Sequence, residues 1–309
     1  MPVHPEIQKV LDLMPKSDVR HKIIPEEYRK IFNEPRQPVE QRVQVHAVED
    51  RVVSIPGADI TVRIYTPDER ESYPLLMFYH GGAFFCGNLE SHDDVVREIC
   101  VASGHKVISV DYRLAPEHPF PVPLEDCYNV TKWAADHGEE LKWDGKNLAI
   151  AGDSSGGNLV AAITLMAREK QEFKITKQVL FYPSLDLDFS EMRYDSWVRN
   201  GKGYFLDIDV IPKENSFYLS GGADVNNPLV SPIRETNLSG LPPALIVTAE
   251  YDPFVDEGEL YAANLKKCGV PVVLKRYEGA THGFLGRFTH LEEYKGVYKL
   301  TGDFLNSHI

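Results

Sequence analysis

From Leu75 onward, short unbroken apolar runs alternate with stretches of helical spacing. The runs are Leu75 to Tyr79, Val107 to Val110, Leu148 to Ala151, Val179 to Tyr182, Leu245 to Thr248 and Val272 to Lys275. Runs of this kind suit parallel strands covered on both faces. Between them, Leu159, Ala162, Ile163 and Met166 fall on one helical face, and Leu260 to Lys267 predict another helix, closed by Gly269 with Pro271 beyond it. Ahead of the runs, Val52, Val53 and Ile55 precede Pro56-Gly57-Ala58-Asp59, and Ile60, Val62 and Ile64 then alternate with polar residues, which predicts an antiparallel hairpin. Near the start, Ile7, Val10, Leu11 and Met14 lie at helical spacing between Pro5 and Pro15. A second short helix is expected after Pro25, burying Tyr28, Ile31 and Phe32.

Strand alternating with helix predicts a doubly wound α/β fold whose sheet is mostly parallel, with the first two strands antiparallel. Such sheets bind ligands at the carboxyl ends of their strands. One interval breaks the rhythm: between Pro183 and about Pro232 the chain is rich in Asp, Asn, Gly and aromatics. It is too long for a connecting loop, so a small inserted cap is expected there.

Composition removes several function classes. Apolar residues make up 43% and charged ones 26% of 309 residues, as in an ordinary globular protein. A net charge of -13 without a dense basic block argues against nucleic acid or an anionic membrane surface as partner. Cys86, Cys100, Cys127 and Cys268 match no zinc spacing and suggest no disulfide framework, so neither a metal nor a cofactor is expected. No secretory leader or membrane span is apparent, which makes a cytoplasmic protein the expectation and the sequons at Asn129 and Asn237 chance matches. A homo-oligomeric state is left open.

The chemistry gathers after the strands. Gly152-Asp153-Ser154-Ser155-Gly156 follows one apolar run and precedes a helical stretch, which reads as a nucleophile elbow, a sharp strand-to-helix turn that exposes a serine hydroxyl. Roughly one chain in ten of this length would contain the pattern by chance, so its weight depends on partners elsewhere. Upstream, His80-Gly81-Gly82-Ala83-Phe84 follows the Leu75 to Tyr79 run, and the backbone N–H groups of Gly81, Gly82 and Ser155 are expected to form an oxyanion hole. His80 precedes those donors and is expected to be structural. Downstream, Glu250-Tyr251-Asp252-Pro253 and Gly279-Ala280-Thr281-His282-Gly283-Phe284 each follow a strand. These supply an acid and a base, with Glu250 and Asp256 as rivals of Asp252 and His290 as a rival of His282.

Five blocks, His80 to Phe84, Asp111-Tyr112-Arg113-Leu114-Ala115-Pro116-Glu117, Gly152 to Gly157, Asp252-Pro253 and His282-Gly283-Phe284, occur in the order found in hormone-sensitive-lipase-type (bacterial family IV) carboxylesterases. From about Val48 to its end the chain resembles that family. The resemblance implies an α/β-hydrolase fold with an eight-stranded sheet and a helical cap, Ser154 as nucleophile, His282 as base and Asp252 as its orienting acid. It also implies that residues 46–183 and 233–309 form the catalytic domain, that residues 1–45 and 184–232 form the cap, and that Arg113 and Glu117 tie a loop below the site.

Ala83, Ser155 and Phe254 depart from the commonest family pattern. The Ser155 hydroxyl is expected to be incidental beside its N–H. Phe84, Phe85, Phe205, Phe217, Tyr218 and Phe284 are candidates to line an apolar pocket. The expected activity is hydrolysis of small-molecule esters with short or medium acyl chains through an acyl-enzyme. An amidase or peptidase of the same fold and a non-catalytic small-molecule-binding relative are the alternatives.

Overall fold

The computed structural model describes residues 2–14 and 23–309. In chain order the elements are α1 (Pro5–Leu13), α2 (Pro25–Phe32), β1 (Ala47–Ile55), β2 (Ala58–Thr66), β3 (Tyr73–Tyr79), α3 (Asp93–Ser103), β4 (Lys106–Val110), α4 (Val122–Asp136) and β5 (Trp143–Asp153). They continue with α5 (Ser155–Lys170), β6 (Lys177–Phe181), α6 (Asp195–Arg199), α7 (Ile211–Leu219), β7 (Ala244–Tyr251), α8 (Val255–Lys267), β8 (Val272–Thr281) and α9 (Glu292–Leu305). Every apolar run became a strand. The eight strands form one sheet in the order β1-β2-β4-β3-β5-β6-β7-β8. Strand β2 runs antiparallel to both β1 and β4, and all other pairs are parallel.

Alternation along the strands divides the core between the two faces of the sheet. In β3, Leu75, Met77 and Tyr79 join one buried cluster while Leu76 and Phe78 join the other. Helices α4, α5 and α8 cover the first face with Leu124, Tyr128, Leu159, Ile163, Tyr261 and Leu265. Helices α3 and α9 cover the second with Val95, Val96, Ile99, Tyr294 and Val297. A fully buried side chain of this size contributes roughly 1.5–3 kcal/mol, so β3 alone anchors both layers.

The first helix turns Ile7 into the second cluster, but the second helix departs from its expectation. Ile31 is 82% exposed, while Tyr28, 40% exposed, still packs on Phe85 with ring centroids 5.4 Å apart and Phe32 packs on the first cluster. Helix α2 is instead held by charge: Arg29 makes a two-pronged ion pair with Glu117 and donates to the carbonyls of Phe85 and Ala115. Arg113 pairs with Asp126 of α4. Arg113 and Glu117 thus do fasten the segment after β4, but to two different helices. Pro15, the expected stop of the first helix, lies outside the described residues.

The interval 184–232 carries α6 and α7. Phe217 of α7 packs on Phe85, and Tyr218 stacks on Phe84 with ring centroids 3.8 Å apart. Near α6, the Asn200 amide donates to the carbonyls of Glu250 and Asp252. The interval therefore lies against the ends of β3 and β7, on the side of the sheet where the elbow emerges.

Candidate active site

Between β5 and α5 the backbone makes one turn at Ser154, held at φ 54°, ψ −119°. A non-glycine residue in that region is strained, and such strain is kept where the surroundings enforce it. Here they do. A Cβ on Gly156 would sit 2.0 Å from the Tyr79 carbonyl oxygen, and one on Gly152 would sit 2.4 Å from that of Gly156. The absence of two side chains lets β5 and α5 close against the end of β3. Ser154 is half-buried, so its hydroxyl can be reached.

The ends of β7 and β8 meet that hydroxyl. His282 Nε2 lies 2.9 Å from Ser154 Oγ, and His282 Nδ1 lies 2.8 Å from Asp252 Oδ2. The other Asp252 oxygen accepts the Phe254 N–H at 2.8 Å, so both oxygens of a fully buried carboxylate are engaged. Phe254 and Tyr182 flank the imidazole, with centroids 5.3 and 4.8 Å away. Glu250 accepts the Gly279 N–H, and Asp256 accepts the Ser196 N–H and pairs with Arg199. Neither rival carboxylate is bonded to His282. Burial pushes the Glu257 carboxyl well up, which favours its neutral form. His290 is exposed.

The donors after β3 are arranged differently from the expectation. Gly81 N–H donates to Asp153 Oδ1 at 2.8 Å and is therefore not available to an incoming oxyanion. The N–H groups of Gly82, Ala83 and Ser155 make no hydrogen bond to any described residue. Ala83 and Phe84 take φ of 49° and 63°, which folds the loop back upon itself. Ser155 Oγ accepts the Phe84 N–H at 3.3 Å. Its hydroxyl is a tie between elbow and loop rather than an incidental group.

Charge behind the loop is balanced. Burial alone would raise the Asp153 carboxyl, yet the neighbouring His92, Arg36 and the Gly81 N–H hold it at about 2. His92 Nε2 approaches it to 3.3 Å. His80 is fully buried, stacks on Tyr112 at 4.2 Å, and is brought down to about 3 by burial and by His92. A neutral imidazole with no exposure serves as packing, which matches its expected structural role.

Comparison with known proteins follows the same lines. A family model described as alpha/beta hydrolase fold matches residues 76–286, more than half of the chain. The chain belongs to that family. An arylesterase of Saccharolobus solfataricus is 39% identical over 289 residues, 93% of each chain. A hyperthermophilic esterase from the archaeon Pyrobaculum calidifontis is 38% identical and superposes with a TM-score of 0.88, covering 99% of this chain and 98% of that one. A thermostable esterase from Pseudomonas putida ECU1011 reaches a TM-score of 0.92 at 29% identity, covering 98% and 97%. The α/β-hydrolase fold and family expected from the sequence are those found.

On this α/β-hydrolase frame the aromatic candidates divide. Phe84, Phe85, Tyr218 and Phe284 have no exposed surface and belong to the core, so they offer nothing for a ligand to touch. Phe217 is half-buried against Phe85. Phe205 lines a cavity of about 390 Å³ beside Arg36 and Arg287. A larger cavity of about 680 Å³ lies around Phe173, Thr176 and Pro243, next to the starts of β6 and β7 and away from Ser154. Asp153, Arg29 and Asn200 were not foreseen as supports of the site. Asp153 is signalled only by its place inside the elbow, and the other two carry no local signal. Among the described residues no cluster suited to a metal ion occurs, and no helix is long and apolar enough to cross a membrane.

Proposed function

We propose that this chain hydrolyses short- to medium-chain acyl esters, with Ser154 as nucleophile, His282 as general base and Asp252 as the acid that orients it. Kinship with esterases over nearly the whole chain makes it a carboxylic ester hydrolase. The residue roles and the chain length are the proposal, and the hydrogen-bonded line Ser154–His282–Asp252, set on the strained elbow, carries them.

Ser154 Oγ attacks the ester carbonyl while His282 Nε2 takes its proton. Asp252, accepting from His282 Nδ1–H, keeps the tautomer that can accept that proton and stabilises the imidazolium. The carbonyl oxygen becomes an oxyanion received by the N–H groups of Gly82, Ala83 and Ser155, one residue further along than expected because Asp153 occupies Gly81. Each such donor is worth about 10²–10³ in rate. Collapse breaks the bond to the alcohol oxygen, which takes the proton from His282 and leaves. Water, deprotonated by His282, then releases the acid and restores Ser154.

Residues 1–45 and 184–232 act as a cap in this reading. What supports it is their contact with the two halves of the site, through Arg29 and Phe217 on one side and Asn200 on the other. The fully buried aromatics around the site leave little apolar surface for a long acyl chain, which favours small acyl groups. A panel of p-nitrophenyl acyl esters of increasing length, set against aminoacyl anilides, tests the proposal. A maximum at short or medium esters is expected, and turnover of the anilides alone would overturn it.

A further inference from the structure

Twelve of the fourteen described arginines lie within ion-pair distance of a carboxylate. Arg36 and Arg287 do not, and these two line the same cavity of about 390 Å³, together with Phe205, Val10 and Phe288. In a chain with 46 acidic residues against 33 basic ones, two neighbouring guanidinium groups that lie outside ion-pair distance of any described carboxylate need a reason.

Local construction keeps them there. Arg36 donates to the Leu285 carbonyl at 3.1 Å, and a Cβ on Gly286 would stand 2.4 Å from Arg36 Nη1, so the glycine makes room for the guanidinium. Asp94 of α3 approaches the same glycine but stays beyond ion-pair distance of Arg36. Arg287 lies over the Phe205 ring at 5.2 Å, and it makes no hydrogen bond or ion pair with any described residue. It is open to solvent yet surrounded by protein, and those surroundings, with the charge of Arg36, pull its basicity down. An arriving anion relieves that tension. Both charges also act on Asp153, the residue before Ser154.

We propose that Arg287, seconded by Arg36, is an anion subsite that selects esters whose alcohol half carries a carboxylate. The proposal rests on the assignment of Ser154 and His282 made above. His282 must hand its proton to the leaving oxygen, so the alcohol departs on the His282 side. Arg287 stands five residues further along the loop that runs on from His282. A planar guanidinium with its N–H edges unoccupied is matched to a carboxylate, and it offsets locally the repulsion that an acidic protein exerts on an anionic substrate.

The test compares kcat/KM for 3-carboxyphenyl acetate with that for phenyl acetate, in the native chain and in Arg287→Met, Arg287→Lys and Arg36→Met. The anionic-to-neutral ratio is expected to fall about 10- to 100-fold in Arg287→Met, less in Arg36→Met and least in Arg287→Lys. An unchanged ratio overturns the subsite. A second pair, p-nitrophenyl hemiglutarate and p-nitrophenyl valerate, reports on the acyl half, and a fall confined to that pair overturns the assignment to the alcohol half. If the native chain cleaves none of these esters, the esterase reading has failed. The subsite is then judged by calorimetric titration of the Ser154→Ala protein with 3-hydroxybenzoate. Binding that is lost on adding Arg287→Met upholds it, and no binding overturns it.

Discussion

The two halves of the site are built in different ways. On the nucleophile side, the end of β3 and the turn after β5 meet through main chain: the Tyr79 carbonyl oxygen stands where a Gly156 side chain would be, and Gly81 N–H is held by Asp153. On the other side, the ends of β7 and β8 are joined through side chains, Asp252 to His282 at 2.8 Å. A half made by close backbone approach tolerates no added volume, whereas a half made by hydrogen bonds tolerates no change of donor or acceptor. Ser154 lies where the two meet.

Removing the meeting point should have the largest effect. Ser154→Ala is expected to lower kcat for ester hydrolysis by about 10⁶-fold with the thermal transition retained. More than a few per cent residual activity would place the nucleophile elsewhere. Asp252→Asn tests the hydrogen-bonded half, since it keeps the shape but presents an NH₂ group that can leave His282 in the wrong tautomer. A drop of about 10⁴-fold in kcat is expected, with no comparable change on replacing Asp256. If Asp256→Asn did equal damage, the assignment of the acid would fall.

Gly156→Ala tests the backbone half by adding one methyl group 2.0 Å from a carbonyl oxygen. We expect destabilisation of about 3 kcal/mol in urea unfolding, together with loss of turnover. An unperturbed melt would show that this half is not crowded. Ser155→Ala removes the 3.3 Å hydrogen bond between elbow and loop and should cost only about 1 kcal/mol, read as a roughly fivefold loss in kcat/KM.

A last effect, on stability and not on turnover, concerns a half-buried carboxyl after β4. Burial raises Asp111 to about 6, above the ordinary carboxylate value, so the fold favours its neutral form. That contribution is fully present below about pH 4 and is lost as pH rises through about 6. Asp111→Asn should therefore raise stability at pH 8 by about 1–2 kcal/mol, allowing for partial exposure, and leave it unchanged at pH 4. Paired thermal melts at the two pH values check this, and equal shifts at both would refute it.

The sheet was legible because its strands are unbroken apolar runs and because β1 and β2 alternate around a Pro-Gly turn. The meeting of Ser154, Asp252 and His282 was legible because each follows a strand. What escaped were contacts between distant stretches of chain. Gly81 and Asp153 are 72 residues apart, and only their meeting reveals that the Gly81 N–H is already engaged. Ile31 looks like part of a buried face, yet it is exposed and α2 is fastened by Arg29, whose partners lie 56 to 88 residues away. The aromatic candidates failed as a group for a simpler reason. Large apolar side chains near a site satisfy the core first, and four of the six have no exposed surface.

The Arg29 clasp also governs how this chain could be recombined with a relative. A crossover between α2 and β1 would carry Arg29 in from one parent and Glu117, with the Phe85 loop, from the other. Grafts that change the N-terminal segment will be productive only where the incoming segment brings an arginine to the same place, so the sequence unit to exchange is the pair and not the helix.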